Sequence, residues 1–339
     1  MTPVDPRSPA LAAGAPWLAG ARAQLTQAVR AARLPHALLI QGQIGIGKAA
    51  LAEWIANLVL CDNTGAAPCG HCAACRLTAA GSHPDLRRVG LVEDKKQIAV
   101  DDIRELIASL VLRSYRGGAK VAIIDPGDAM NMNGANALLK TLEEPSDGAL
   151  LILTVARPDR LPATIASRCQ RLVIRRPDEA TALAWLGGFD AAVDWAPLLA
   201  LSAGAPIGAL ELAARGAGAL HESMKSLPGA LASGEADLVG LAESLKGDLA
   251  PERLRWIENW VTDRIRRGLE ASAPGHTPAN TGLPSEARTR HIQGLYATLD
   301  ELRAAQAALR GPANVDLLFE RVLGRLALEL SAVRGAPRR

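Results

Sequence analysis

The chain has 339 residues and is 49% hydrophobic, enough apolar material for two or three packed domains, but aromatics are only 3%, so the cores must rest on Ala, Leu, Ile and Val. Charged residues make up 22% and the net charge is +3, which is not the basic footprint of a chain that coats nucleic acid; DNA would be met through a few contacts or through partners. No apolar run approaches the ~20 residues of a membrane span, and the Pro- and Ala-rich stretch from Met1 to Gly14 carries Asp5 and Arg7 where a secretory signal needs an apolar core, so the expectation is a cytoplasmic protein with no membrane partner.

The first element is a short apolar run, His36 to Ile40, which reads as a buried strand. It runs into Gly42-Gln-Ile-Gly45-Ile-Gly47-Lys48-Ala49, which fits the phosphate-loop pattern G-x-x-x-x-G-K and fails at its last position. Gly42, Gly45 and Gly47 let backbone N–H groups wrap a phosphate, the following helix adds the positive end of its dipole, and Lys48 would reach the β- and γ-phosphates. The next residue should be Ser or Thr, to bind Mg²⁺; Ala49 has no ligand atom. Two readings of the loop stay open: ATP or ADP held weakly without Mg²⁺, or a turn that serves structure alone.

A helical pattern follows from Lys48 to Leu60, with Leu51, Trp54, Ile55 and Leu58 three or four apart. Then come four of the five cysteines, as Cys61-x7-Cys69-x2-Cys72-x2-Cys75. Four thiolates at this spacing suit tetrahedral Zn²⁺, and a site filled by four protein ligands is structural, because no position stays open for water. His71 and His83 are spare candidate ligands, and the upstream position of Cys61 does not match a ferredoxin-type cluster run. Such a metal would pin the helix that begins at Lys48 to the segment after it.

Leu86 to Val92 reads as a second strand and Asp102 to Leu112 as an amphipathic helix, with Asp101 or Asp102 as its cap. Lys120 to Asp125 is a third strand, which delivers Asp125 as an acidic strand end. Hydrolysis needs a base beside that carboxylate, and the next residue is Pro126, which has no acid–base group. Asp128 lies further on, either as a metal ligand or as a turn residue. A helix over Asn133 to Leu142 must stop before Pro145, with Glu143 and Glu144 capping or solvating its end. Strands follow over Leu150 to Val155 and Arg171 to Ile174, and Cys169 is expected to be half-buried near a domain edge.

Strands alternating with helices imply an α/β domain with a parallel sheet covered on both faces. After Pro177 the pattern turns helical. Leu254, Ile257, Val261 and Ile265 share one face, as do Val315, Leu318, Val322, Leu326 and Leu330, while Ser272 to Pro284 reads as a loop. The expected plan is an α/β domain over 1–176 with the cysteine module at 61–75, a small helical domain over 177–212, and a helical domain over 213–339. The six tryptophans are expected to be packing residues, and Arg264, Arg266 and Arg267 a solvated basic face.

Three further stretches complete a pattern: Arg33-Leu-Pro-His36-Ala-Leu-Leu before the loop, Asn136-Ala-Leu-Leu-Lys-Thr-Leu-Glu-Glu-Pro145 after the acidic strand, and Leu161-Pro-Ala-Thr-Ile-Ala-Ser167-Arg168-Cys169 after the fourth strand. Together with the four-cysteine insertion, they make the chain resemble the bacterial clamp-loader subunits of the AAA+ class that serve DNA polymerase III. The resemblance covers most of residues 15 to 210 and is weaker beyond, where Asn314 to Leu323 is similar to the family's closing helix.

The resemblance implies a hetero-oligomeric ring with gamma/tau and delta subunits, held by the helical C-terminal domains and loading a sliding clamp at primer–template DNA. It also implies that Arg168 is an arginine finger, reaching in trans into a neighbouring subunit's ATP site. Gamma/tau subunits carry an intact G-K-[ST] and an acidic pair on the strand; this chain has neither, so the expectation is a member that does not hydrolyse ATP itself. The rival expectations are an active gamma/tau-like ATPase, a P-loop small-molecule kinase and a stand-alone DNA-binding protein.

Overall fold

A computed structural model describes residues 5–92, 95–234, 236–270, 285–309, 311 and 313–334. The loop expected over Ser272 to Pro284 and the first four residues lie outside the described residues. The chain divides into two compact units, Met1–Trp195 with Ser202–Ala214, and Ala196–Leu201 with Arg215–Arg339.

The first unit opens with two helices, Pro9–Gly14 (α1) and Ala19–Arg30 (α2). Its centre is a parallel sheet of Ala37–Gln41 (β1), Leu86–Gly90 (β2), Lys120–Asp125 (β3), Ala149–Val155 (β4) and Gln170–Val173 (β5), in the order β2-β3-β4-β1-β5. The three inner strands are apolar on both sides and almost wholly buried, because each face of the sheet is covered. The edge strands β2 and β5 are polar and mostly exposed or half-buried, which leaves their free edges solvated. β2 is shorter than the expected Leu86 to Val92, ending at Gly90.

Between the strands run Lys48–Leu60 (α3), Ala73–Ala79 (α4), Val100–Val111 (α5), Met132–Glu143 (α6) and Ala163–Ala166 (α7). One face of the sheet offers Ala37, Leu39, Ala122, Ile124, Leu151 and Leu153 to Ile103, Leu106 and Leu110 of α5 and to Ala135, Leu138 and Leu142 of α6. Each fully buried Leu or Ile in this layer contributes about 2 kcal/mol. The other face carries α3, which packs on β1, β3 and β4 through a nearly all-buried sequence.

Two expectations are corrected here. The N-cap of α5 is Ala99, not Asp101 or Asp102, because the helix starts at Val100; the two aspartates sit inside the first turn, where they complement the helix dipole and Asp101 pairs with Arg104 at 2.9 Å. Cys169 is not half-buried: it is 8% exposed within the core layer, and burial pushes its thiol up to about 11.

The first unit also holds Glu179–Gly187 (α8) and Pro206–Ala214 (α10). Between them lies Trp195–Leu201 (α9). The Trp185 ring meets Trp17 edge-on at 4.9 Å and Phe189 at 4.7 Å, so these rings pack on one another.

The second unit is helical: Ala217–Met224 (α11), Leu227–Ser233 (α12), Leu238–Ser244 (α13), Ala250–Glu270 (α14), Ser285–Ala308 (α15) and Val315–Arg334 (α16). No strand follows β5 among the described residues. Leu254, Ile257, Val261 and Ile265 are buried as their spacing predicts. In α16 the buried seam is Phe319, Val322, Leu323, Leu326 and Leu330, and Val315 and Leu318 are half-buried at its start. Arg266 and Arg267 both pair with Asp263, and Arg264 lies 5.5 Å from the Trp260 ring, a solvated helix face. Among the described residues no single helix is long and apolar enough to cross a membrane.

Candidate functional site

The carboxyl ends of β1, β3 and β4 meet at one edge of the sheet, the place where parallel α/β folds bind ligands. The Gly42–Lys48 loop leaves β1 here. Gly45 and Gly47 take positive φ of 75° and 104°, which L side chains adopt only under strain, and Gly47 is the N-cap of α3.

The loop's lysine and three of its carbonyls are bonded within the chain. Lys48, 8% exposed, donates to Gln43 O at 2.9 Å. Burial lowers its pKa, against the pull of Asp125, Asp128 and Glu211. The Trp17 indole donates to Ile46 O at 2.9 Å. Gly208, in the first turn of α10, donates its N–H to Gly45 O at 2.9 Å, and a Cβ on Gly45 would stand 2.6 Å from Gly208 Cα. Ile207 and Leu18 close against Gly47. Nothing near the loop in sequence announces this cover, because Gly208 comes some 160 residues later.

Asp125 ends β3 as expected. One of its oxygens accepts from Thr154 Oγ1 on β4, and the other lies 3.7 Å from Arg7 Nε. Arg7, Ala49, Glu53, Arg88 and Asp125 line a small cavity of about 90 Å³. Arg88 binds Glu53 through two bonds, at 2.5 and 2.8 Å. Two carboxylates therefore face two guanidinium groups beside Ala49, at the place where the motif would hold its metal. Sequence reasoning missed both arginines, which arrive from other elements.

Asp128 is a turn residue. Its side chain is 3% exposed and accepts from Ala156 N and Arg157 N, both at 3.2 Å, and from Arg157 Nε at 3.3 Å. Its lone pairs hold the chain that leaves β4.

The four cysteines converge after α3. Cys61 caps the C-terminus of that helix, and the sulfurs of Cys61, Cys69, Cys72 and Cys75 all lie within 4.8 Å of one another. Cys61 to Cys69 is 3.6 Å, Cys61 to Cys72 is 3.8 Å and Cys69 to Cys75 is 4.0 Å. A tetrahedral ion with ~2.3 Å bonds to sulfur places its ligands roughly 3.8 Å apart, so the donor set fits one. Backbone N–H groups of Cys69, Cys72 and Cys75 point at the sulfurs of Cys61, Cys69 and Cys72, at 3.4–3.5 Å, and would support charge on them. The His71 backbone N–H does most to bring the Cys69 thiol down to about 6, while burial pushes Cys75 up to about 12. Neither spare histidine joins the cluster: His71 Nδ1 lies 2.8 Å from Cys69 O, and His83 Nδ1 accepts from Asp85 N at 3.1 Å.

Arg168 stands on the turn between α7 and β5. Its neighbour Cys169 is anchored in the core, so the backbone is fixed while the guanidinium points outward with its side chain 36% exposed. Thr164 O accepts from Ser167 Oγ at 3.1 Å and from Arg168 Nη1 at 2.9 Å. Arg168 Nη2 donates to Glu143 Oε1 at 2.6 Å. Glu143 is thus neither a cap nor simply solvated.

This parallel sheet, with its degenerate phosphate loop and exposed arginine turn, defines an AAA+ α/β domain followed by a helical region. Residues 19–178 match the family described as DNA polymerase III, delta subunit. The chain is 39% identical over 246 residues to the DNA polymerase III subunit delta' of Pseudomonas aeruginosa, covering 71% of this chain and 74% of the relative. It is 35% identical over 257 residues to that of Escherichia coli, covering 74% and 76%. To the Escherichia coli DNA polymerase III subunit tau it is 36% identical over 148 residues, 43% of this chain and 22% of the relative. The chain belongs to the DNA polymerase III subunit delta' family.

Proposed function

We propose that the chain is the member of a clamp-loader ring that hydrolyses no ATP itself and lends Arg168 to the ATP site of a neighbouring gamma/tau subunit. The ring would include a delta subunit and load a sliding clamp on primer–template DNA. The observation that carries this reading is the pairing of a phosphate loop whose lysine is engaged and whose metal ligand is missing with an outward arginine. At its own site Lys48 is bonded to the loop, Ala49 offers no metal ligand and Arg7 stands beside Asp125. At Arg168 a guanidinium is held on a rigid turn at the surface, where it can neutralise charge on a transferring phosphoryl group in another chain.

Three parts follow from this reading: an AAA+ domain over 1–176, a lid over 177–212 and a ring-forming helical domain over 213–339. The phosphate loop is then a joint between the sheet and the lid, and ATP or ADP is not a working ligand. The test is ATP turnover by gamma/tau and delta subunits reconstituted with this chain, in the presence of clamp and primed DNA. With Arg168→Ala the ring should assemble and the served site lose about 10³-fold in rate or more. Turnover by the chain alone would instead return the active-ATPase reading.

We also propose that the four-cysteine site holds one structural Zn²⁺, which would supply folding energy and tie the end of α3 to α4. The sulfur separations and the absence of an open coordination position support it. Metal analysis of the purified chain should find one zinc per chain, and a metal-free yet fully folded chain would rule it out.

A further inference from the structure

An acidic side chain at the C-terminal end of a helix lies against the negative end of the helix dipole, where it is disfavoured. Glu143 is such a residue, the last of α6, with Lys140 the basic residue of the same turn. Its carboxylate finds its compensation outside the helix, in the Arg168 guanidinium at 2.6 Å. Arg168 is thereby held from two directions, by Glu143 Oε1 on α6 and by Thr164 O on α7 at 2.9 Å. Two anchors on separate elements fix both the direction of a long side chain and the plane of its guanidinium. Ordering such a side chain otherwise costs its rotamer freedom.

We infer that Glu143 is a positioning residue for Arg168, holding the finger in the orientation in which it meets a neighbouring subunit's ATP. This rests on the trans-finger reading above. The two anchors use hydrogens on Nη1 and Nη2 only, and the guanidinium carries five. Donors therefore remain for a phosphoryl oxygen while the carboxylate still holds the group from behind. Because the finger acts on charge that develops during transfer, its orientation affects the rate of the chemical step rather than ATP binding.

The experiment uses the reconstituted complex, with ATP turnover measured against ATP concentration for wild type, Arg168→Ala, Glu143→Ala, Glu143→Gln and the double alanine variant. Gel filtration of each complex checks assembly. An exposed ion pair is worth up to about a five-fold factor, and displacement of a catalytic group adds to that. Glu143→Ala should lower kcat at the served site by roughly three- to ten-fold with KM unchanged. Glu143→Gln, whose amide oxygen can accept the same hydrogen bond, should recover most of it. The double variant should be no slower than Arg168→Ala alone.

If Arg168→Ala is inactive while Glu143→Ala turns over as fast as wild type or faster, Glu143 does not position the finger and the inference is wrong. A change in KM instead of kcat would also overturn it. If Arg168→Ala itself turns over normally, the trans-finger reading has failed, and this inference falls with it.

Discussion

At the Gly42–Lys48 loop the lysine turns inward, to Gln43 O, and the covering segments bond the loop carbonyls, the Trp17 indole to Ile46 O and the Gly208 amide to Gly45 O. At the Ser167–Cys169 turn the arrangement is reversed. The thiol is buried in the core and the guanidinium is held at the surface, with donors to spare. Both are short connections beside a parallel strand, the first just after β1 and the second just before β5, and both are held by buried neighbours. What differs is the direction in which the charge is offered, and on the proposed function that direction would separate a site that serves its own chain from one that serves another. A chain can lose the first and keep the second, because nothing in the packing of β5 requires Lys48 to meet a phosphate.

The comparison breaks first where α10 meets the loop. Gly45→Val puts a β-branched side chain at φ 75° and a Cβ 2.6 Å from Gly208 Cα. It should cost about 3 kcal/mol or more in urea unfolding. A loss under about 0.5 kcal/mol would mean that α10 does not close the loop. The smallest expected effect is the more telling one. Ala49→Ser with Pro126→Glu restores the missing metal ligand and base, yet the isolated double variant should hydrolyse no more ATP than the same variant carrying Lys48→Ala. Asp125 is still engaged by Thr154 and Arg7, and the loop is still covered. Turnover regained by two substitutions would show the site to be merely unequipped rather than closed.

The sheet was legible in the sequence because its inner strands are apolar runs, β1 stopping just before Gly42 and β3 at a carboxylate, and because the loop, the missing hydroxyl at Ala49 and the missing base at Pro126 are local patterns. The four cysteines were legible for the same reason, since spacing alone sets which sulfurs can meet. What lay beyond reach is contact between distant segments. Arg7 beside Asp125, Gly208 on Gly45 and Glu143 on Arg168 join residues that no periodicity links. Glu143 in particular reads locally as a helix end, and only the folded turn of α7 gives it a partner. The cap of α5 was missed by a smaller margin. Two adjacent aspartates suggest a cap, but the helix starts at Val100, two residues earlier than a cap at Asp101 allows, and they act on its dipole instead.

The helix α3 leaves the phosphate loop at Gly47 and reaches the cysteine module at Cys61, with no break between. A helix advances about 1.5 Å and turns about 100° per residue. Removing or adding one residue within α3 would therefore swing the Cys61 sulfur to another side of the helix, away from the other three, and no loop lies between to absorb the error. Length variation among relatives should accordingly collect after Cys61, in the segment leading to Cys69, and be absent from Lys48 to Leu60.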